Sequence, residues 1–363
     1  MALSQIKDRK EIIMQDYKFD HKTETIISKK EQPYYIFTSD IHGNHNTIPL
    51  IEHAMSDFKS AQLVGGGDYI DGRKYSKEVC DFLWDQKKKN NAVILKGNHE
   101  IMMTDFSAGK DVPQYSDGFE YEPLWLMNGG KATIRSFLNY GFSKHKYAAA
   151  IPLLRQTKYY SDFKSAPIMY ETPHFIFCHA GIHPTADYNQ RNKYPAKFDP
   201  ANDNYNFYRT WARKEYWNEY QPVTVINHVN TEFKIRNNKL YQAVVAHNHT
   251  GKTIITGHTP TALIHAIYDK SDSKHRKIKE LPFTKCIVRV MQYEGEPARI
   301  FTDNGCHSRY PKHDGNVTVI NSDGNIVAVY DYNHPTGIAW NEYVTENKSD
   351  NIFGVTDNNM FRM

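Results

Sequence analysis

Five apolar runs in this chain each end in glycine flanked by metal-ligating residue types, and few folds accommodate that pattern. The first run, residues 34–37, continues into Thr38-Ser39-Asp40-Ile41-His42-Gly43-Asn44. Its aromatic and branched residues predict a short buried strand. Asp40 and His42, two apart just past that strand, send a carboxylate and an imidazole to the same side of the chain. One metal ion collects its first two protein ligands in this way. Asp-x-His alone occurs by chance, but four further segments repeat the design. They are Gln62-Leu63-Val64-Gly65-Gly66-Gly67-Asp68-Tyr69-Ile70-Asp71-Gly72, Ala92-Val93-Ile94-Leu95-Lys96-Gly97-Asn98-His99-Glu100, Phe175-Ile176-Phe177-Cys178-His179-Ala180-Gly181 and Thr253-Ile254-Ile255-Thr256-Gly257-His258-Thr259-Pro260. Together the five strand ends offer Asp40, His42, Asp68, Asn98, His179 and His258, a donor set suited to a mixed oxygen and nitrogen site.

Between the first three runs the apolar residues recur at helical spacing. Ile48, Ile51, Met55 and Phe58, with Leu50 and Ala54, mark one helix, and Val79, Phe82 and Leu83 mark another. Strand, helix, strand, helix, strand with short connections is the pattern of a parallel sheet, in which ligands sit beyond the carboxyl ends of the strands. Residues 101–170 read as a helical insertion, with residues 125–139 helical and Tyr140-Gly141-Phe142 closing them. Residues 184–249, rich in Asn, Tyr and Lys, read as a cap with a helix near 208–220. Beyond Thr261, strands are expected at 286–291, 299–302, 317–320 and 326–330, forming a second sheet against the first. Residues 1–32 read as helix followed by loop, and the polar tail from Thr345 as peripheral.

Asp-x-His-Gly, Gly-Asp-x-x-Asp-Gly, Gly-Asn-His-Glu, His-Ala-Gly and Gly-His-Thr-Pro, in that order, resemble the calcineurin-like metallophosphoesterases. The nearest branch is the phosphoprotein phosphatases with their bacterial and phage relatives. The likeness runs from about Pro33 to Cys306. It implies an α/β (α+β) fold, a four-layer αββα sandwich, in one domain whose core spans about residues 33–310. It also implies two metal ions: Asp40 and His42 on the first, Asn98, His179 and His258 on the second, and Asp68 bridging both. Two divalent ions can bridge a hydroxide and clamp both oxygens of an in-line displacement at phosphorus. Manganese, iron and zinc all suit the donors.

The resemblance further makes His99 the acid that protonates the leaving oxygen and Asp71 the carboxylate that orients it. Glu100 is read as an anchor of its loop. The related phosphatases follow the bridging aspartate's loop with Asp-Arg-Gly, whereas this chain has Asp71-Gly72-Arg73, so Arg73 meets phosphate only from one residue later. Trp211-Ala212-Arg213 is similar to a bacterial Trp-x-Arg, which makes Arg213 either a substrate contact or a surface arginine. Asp303-Asn304-Gly305-Cys306 resembles an Asp-x-Gly-Cys strand end, with Cys306 structural or catalytic. His247 and His249 are read as surface histidines.

At 363 residues and 40% apolar, with 25 Tyr and 18 Phe, the chain can bury a sizeable core. Its net charge of +4 is mild and its basic residues are scattered, which disfavours an obligate nucleic-acid partner. No apolar stretch approaches the ~20 residues of a membrane span. Cys80, Cys178, Cys286 and Cys306 show no paired spacing, as expected of reduced, cytoplasmic thiols. The expected function is a metal-dependent phosphomonoesterase acting on phosphoserine or phosphothreonine in proteins, or on a small phosphoester. The alternative keeps the chemistry and takes a dinucleoside polyphosphate, such as diadenosine tetraphosphate, or another nucleotide phosphoester. A binding module that merely kept the fold is disfavoured, because no ligand and no acid is missing.

Overall fold

The computed structural model describes residues 16–182, 208–223, 233–261, 264 and 288–362, apart from 22, 90, 112–113, 117–118, 140–146, 294, 308–314, 347–351 and 357–358. Two mixed sheets face each other. The six-stranded sheet has the order Ile338–Ala339, Ile326–Asp331, Asn316–Asn321, Tyr34–Thr38, Gln62–Gly65, Ala92–Ile94. Its last three strands are parallel, with Phe37 opposite Val64 and Gly65 opposite Ile94. The nine-stranded sheet is built around Phe175–Cys178, Thr253–Thr256 and Arg299–Phe301, which pair in parallel, Ile255 opposite both Phe177 and Ile300.

Alternation along each strand divides the apolar residues among three cores. Ile36, Leu63 and Ile94 face helices Thr47–Asp57, Ser76–Lys88 and those that follow, in a core that also takes Ile51, Ala54, Val79 and Leu83. Tyr35, Phe37, Val64 and Leu95 point the other way, to meet Phe175, Phe177 and Ile255 of the second sheet. Ile176, Cys178 and Ile254 line that sheet's far face under Tyr208, Tyr216 and Trp217. Helix, sheet, sheet and a thinner outer layer give the four-layer sandwich.

Several expectations need correction. The strands at Asn316–Asn321 and Ile326–Asp331 extend the first sheet instead of the second, because Thr318 pairs antiparallel with Phe37 at that sheet's open edge. Of the four strands expected there, Arg289–Tyr293 and Arg299–Phe301 join the second sheet. The N-terminal segment carries an antiparallel pair, Tyr17–Asp20 with Thr25–Ser28, in place of a helix and loop, and residues 1–15 lie outside the described residues. Thr25–Ser28 pairs with Met169–Glu171, so partners some 140 positions away decide its state. In the region read as a cap, the helix stops at Trp217 and Asn218–Val223 becomes an edge strand of a three-stranded sheet. Pro222 is acceptable at a sheet edge and would break a helix interior. Residues 184–207 and 224–232 lie outside the described residues.

Residues 101–170 hold helices together with a short hairpin, Gln114–Ser116 and Phe119–Tyr121. Residues 124–138 are helical as expected but kinked at Asn128 and Gly129, and 140–142 lie outside the described residues. The tail adds Ile352–Thr356 beside Arg289–Tyr293. Among the described residues no helix is long and apolar enough to cross a membrane. Cys80, Cys178 and Cys306 are buried thiols, and Cys286 lies outside the described residues.

Candidate metal centre

All five glycine-marked strand ends meet at one edge of the facing sheets. Five of the residues there, Asp40, His42, Asp68, Asp71 and His258, hold φ between 50° and 73°. Such left-handed backbone costs a non-glycine residue roughly 1–2 kcal/mol, so each must be held by its surroundings. Backbone bonds between loops supply that hold: Asp40 N to Gly67 O (2.9 Å), His42 N to Asp68 O (2.9 Å) and Gly43 N to Tyr69 O (2.8 Å). Glu100, completely buried, accepts from the backbone N–H groups of Gly97, Asp68 and Tyr69, each at 2.8 Å. It ties the second and third loops together, which is the anchoring role its position suggested. Burial and the charge of Asp68 push its carboxyl up to about 7, against the pull of those three donors.

The six expected ligands converge. Ligand atoms of Asp40, His42 and Asp68 lie within 4.8 Å of one another, as do those of Asp68, His179 and His258. Asp68 belongs to both groups, as a bridging carboxylate must. Each histidine spends one nitrogen on a carbonyl and turns the other inward. Nδ1 of His42 donates to Ile70 O (3.0 Å), Nδ1 of His179 to Gly66 O (3.0 Å), and Nε2 of His258 to Trp211 O (3.0 Å). Such carbonyl partners fix tautomer and ring orientation in metal sites. Burial, reinforced by neighbouring histidines, pushes His42 and His258 well below the ordinary imidazole value, so both are neutral and ligand-ready. In His179 burial is outweighed by the charges of Asp68 and Asp40, which raise it to about 9.

The side-chain oxygen of Asn98 tests whether a cation fits. It lies 2.9 Å from His179 Nε2, 3.1 Å from His258 Nδ1, and 3.2 Å from both Asp68 Oδ2 and Thr210 O. Rotating the amide would let its nitrogen donate to these atoms. With the oxygen there, five nitrogen and oxygen atoms crowd one buried point, an arrangement that a cation would satisfy. The donor set therefore fits metal, and Thr210 places a carbonyl from the 208–213 segment beside it.

His99 forms a further group with His42 and His307, their ligand nitrogens within 4.8 Å of one another. Its Nδ1 bonds Asp71 Oδ2 at 2.7 Å, while Nε2 lies 3.8 Å from Asp68 Oδ2. Burial opposes its charge, but the Asp68 carboxylate and the Asp71 hydrogen bond raise it to about 9. Arg213 is exposed and donates to His258 O at 2.8 Å, which brings it to the centre's rim. Arg73 instead sends Nε to Cys306 O at 3.2 Å. Cys306 is buried, and its sulfur accepts from Asn44 Nδ2 at 3.7 Å. His247 is held by Glu296 and stacks on His249.

His307 was not anticipated. Its ring meets those of His42 (centroids 4.6 Å) and His99 (5.4 Å), and it is exposed to solvent. A Cβ on Gly72 would meet it only in ordinary contact at 3.4 Å, so the left-handed φ of 78° is what favours glycine in Asp71-Gly72-Arg73. The signal was available: strand Arg299–Phe301 is a sixth apolar run ending in Asp303-Asn304-Gly305-Cys306-His307.

The calcineurin-like phosphoesterase family model matches residues 34–262, more than half of the chain. The chain belongs to that family. No curated protein matches it. Among solved structures, this calcineurin-like phosphoesterase resembles a protein provisionally described as a diadenosine tetraphosphatase, at 13% identity and a TM-score of 0.42, covering 85% of this chain and 97% of that one. A serine/threonine phosphatase of Saccharomyces cerevisiae gives 14%, 0.41, 80% and 74%. A cold-active protein-tyrosine phosphatase of Shewanella gives 16%, 0.45, 89% and 85%. Likenesses this distant carry no argument about substrate.

Proposed function

We propose that this calcineurin-like phosphoesterase is a two-metal phosphomonoesterase acting on phosphoserine or phosphothreonine in proteins. Asp40, His42 and Asp68 would hold one ion; Asp68, Asn98, His179 and His258 would hold the other, with manganese, iron or zinc suited to the donors. When bound, the ions supply Lewis-acid stabilisation of phosphoryl charge and acidify the attacking water. The observation that carries the reading is His99, whose Nδ1 is fixed by Asp71 and whose Nε2 faces the shared carboxylate. From there Nε2–H donates its proton to the leaving oxygen as the P–O bond breaks, and the Asp71 carboxylate stabilises the ring through Nδ1–H. Arg213 on the rim is the favoured cation for the phosphoryl oxygens, with Arg73 behind it. The unpaired cysteine spacing supports a cytoplasmic setting.

The test is a substrate panel on purified, metal-loaded protein. Turnover of p-nitrophenyl phosphate and phosphopeptides, lost on exhaustive chelation and restored by metal, is expected. Preference for diadenosine tetraphosphate over every phosphomonoester would replace the substrate class. Undiminished turnover by metal-free protein would overturn the scheme.

A further inference from the structure

Asp71 is completely buried, and its carboxylate is surrounded by donors from a distant part of the chain. Oδ2 accepts from His99 Nδ1 at 2.7 Å and from the indole Nε1–H of Trp125 at 2.9 Å. Oδ1 accepts from Thr133 Oγ1 at 2.5 Å, and the same hydroxyl accepts from Asp71 N at 2.9 Å. Trp125 is itself seated: it is buried, its N–H bonds Asp111 Oδ2 at 2.8 Å, and its ring packs on Phe106. The turn after it is shaped for this fit. Gly129, at φ 101°, lies so close to Gly72 that a Cβ would come within 2.7 Å of Gly72 N. A Cβ on Gly130 would come within 2.5 Å of the Trp125 ring. A kinked helical segment from the insertion thus closes over the Asp71–Gly72 turn.

We infer that Trp125 and Thr133 are positioning residues for proton donation, acting through Asp71 to aim His99 at the leaving group. The inference rests on the reading of His99 as the general acid. With Oδ2 shared between an indole and an imidazole, and Oδ1 pinned by a hydroxyl, the carboxylate plane is fixed. The Nδ1–H of His99 can then be met in only one ring orientation. Removing either donor frees the carboxylate to rotate and leaves the ring less well aimed. The metal ligands are not touched.

Trp125→Phe keeps an aromatic ring and removes the donor; Thr133→Val is nearly isosteric and removes the hydroxyl; Thr133→Ser restores it. Loss of an orienting partner is expected to cost ~10- to 100-fold in kcat on phenyl phosphate, whose leaving group needs a proton. The loss should be several-fold smaller on p-nitrophenyl phosphate, with metal content unchanged and Thr133→Ser close to wild type. In a His99→Asn background, Trp125→Phe should add nothing further, because both changes remove one step. Equal losses on both substrates, or losses that multiply with His99→Asn, would overturn the inference. If Trp125→Phe fails to fold, Thr133→Val decides alone by the same criteria. If wild-type protein turns over no phosphomonoester, the functional reading fails first. The positioning role is then read by NMR from the His99 Nδ1 proton, which should shift in both variants; an unchanged signal refutes it.

Discussion

Two of the strand-end glycines, Gly97 and Gly257, have a carboxylate lying against them, and Gly97→Ala isolates that effect. Gly97 has φ −97° and ψ −170°, extended backbone that any residue adopts, so alanine brings no conformational strain. Its Cβ would stand 2.2 Å from Asp68 Oδ1 and 2.9 Å from Asp68 Cγ. Ordinary contact begins near 3.4 Å, so the carboxylate or the loop must move by about 1.2 Å. Asp68 Oδ1 also accepts the backbone N–H of His99 at 3.0 Å, a bond that such a shift breaks at a cost of about 1.5–3 kcal/mol. Alanine's stiffer unfolded chain returns about 0.4–1 kcal/mol. By these two terms the net loss is about 0.5–2.6 kcal/mol, and the 2.8 Å approach of the Cβ to the Asp68 backbone nitrogen adds to it.

The functional loss is much larger, because Asp68 serves both ligand groups and a displacement of ~1 Å can cost ~10²-fold in rate. Gly251→Ala is the control. Gly251 has φ 72° and open space around its Cβ, so alanine costs about 1–2 kcal/mol of backbone strain and displaces nothing. Metal content after dialysis, turnover of p-nitrophenyl phosphate and urea unfolding should be measured on both. Gly97→Ala should lose both ions together and ~10²-fold in kcat; Gly251→Ala should lose stability alone. If Gly97→Ala keeps both ions and wild-type turnover, the carboxylate does not bridge from where it lies.

Glu100→Ala leaves the backbone N–H groups of Gly97, Asp68 and Tyr69 buried without their acceptor. At ~1–3 kcal/mol per orphaned donor, urea unfolding in chelator should show a loss of several kcal/mol, and an unmoved midpoint would refute the anchoring role. Asp81 is bonded by Lys77 (2.7 Å), Lys158 (2.5 Å) and the Tyr159 hydroxyl (2.8 Å); burial opposes its charge, but these donors hold it at about 2, below the ordinary 3.8. Its contribution is therefore complete above about pH 4 and lost as pH falls towards 2. With the side chain 34% exposed, screening discounts it to about 1 kcal/mol. The stability gap between wild type and Asp81→Asn should close over that window, and a gap independent of pH would contradict the linkage. His307→Ala should raise KM for phosphoesters several-fold with metal content intact; unchanged KM would mean that the imidazole faces no substrate.

How much of this was legible in the sequence follows from the range of each interaction. The parallel strands of both sheets announce themselves within short windows, and the candidate ligands sit at their ends: Asp40, His42, Asp68 and Asn98 after strands of the first sheet, His179 and His258 after strands of the second. Sheet membership is different. Val317 and Ile326 look like any buried strand, and nothing within their own segments says that Thr318 pairs with Phe37. The state of Asn218–Val223 is likewise set by pairing with Lys239–Val245, against a local pattern that reads as helix. Trp125 and Thr133 lie at the extreme of this scale. On an amphipathic helix a tryptophan and a threonine are unremarkable core residues, and only the buried Asp71 carboxylate, 54 and 62 positions away, gives their donors a purpose. A buried carboxylate must be satisfied wherever in the chain its donors lie. Sequence therefore reveals the ligands that one strand end can present, and structure is needed for the donors that hold them in place.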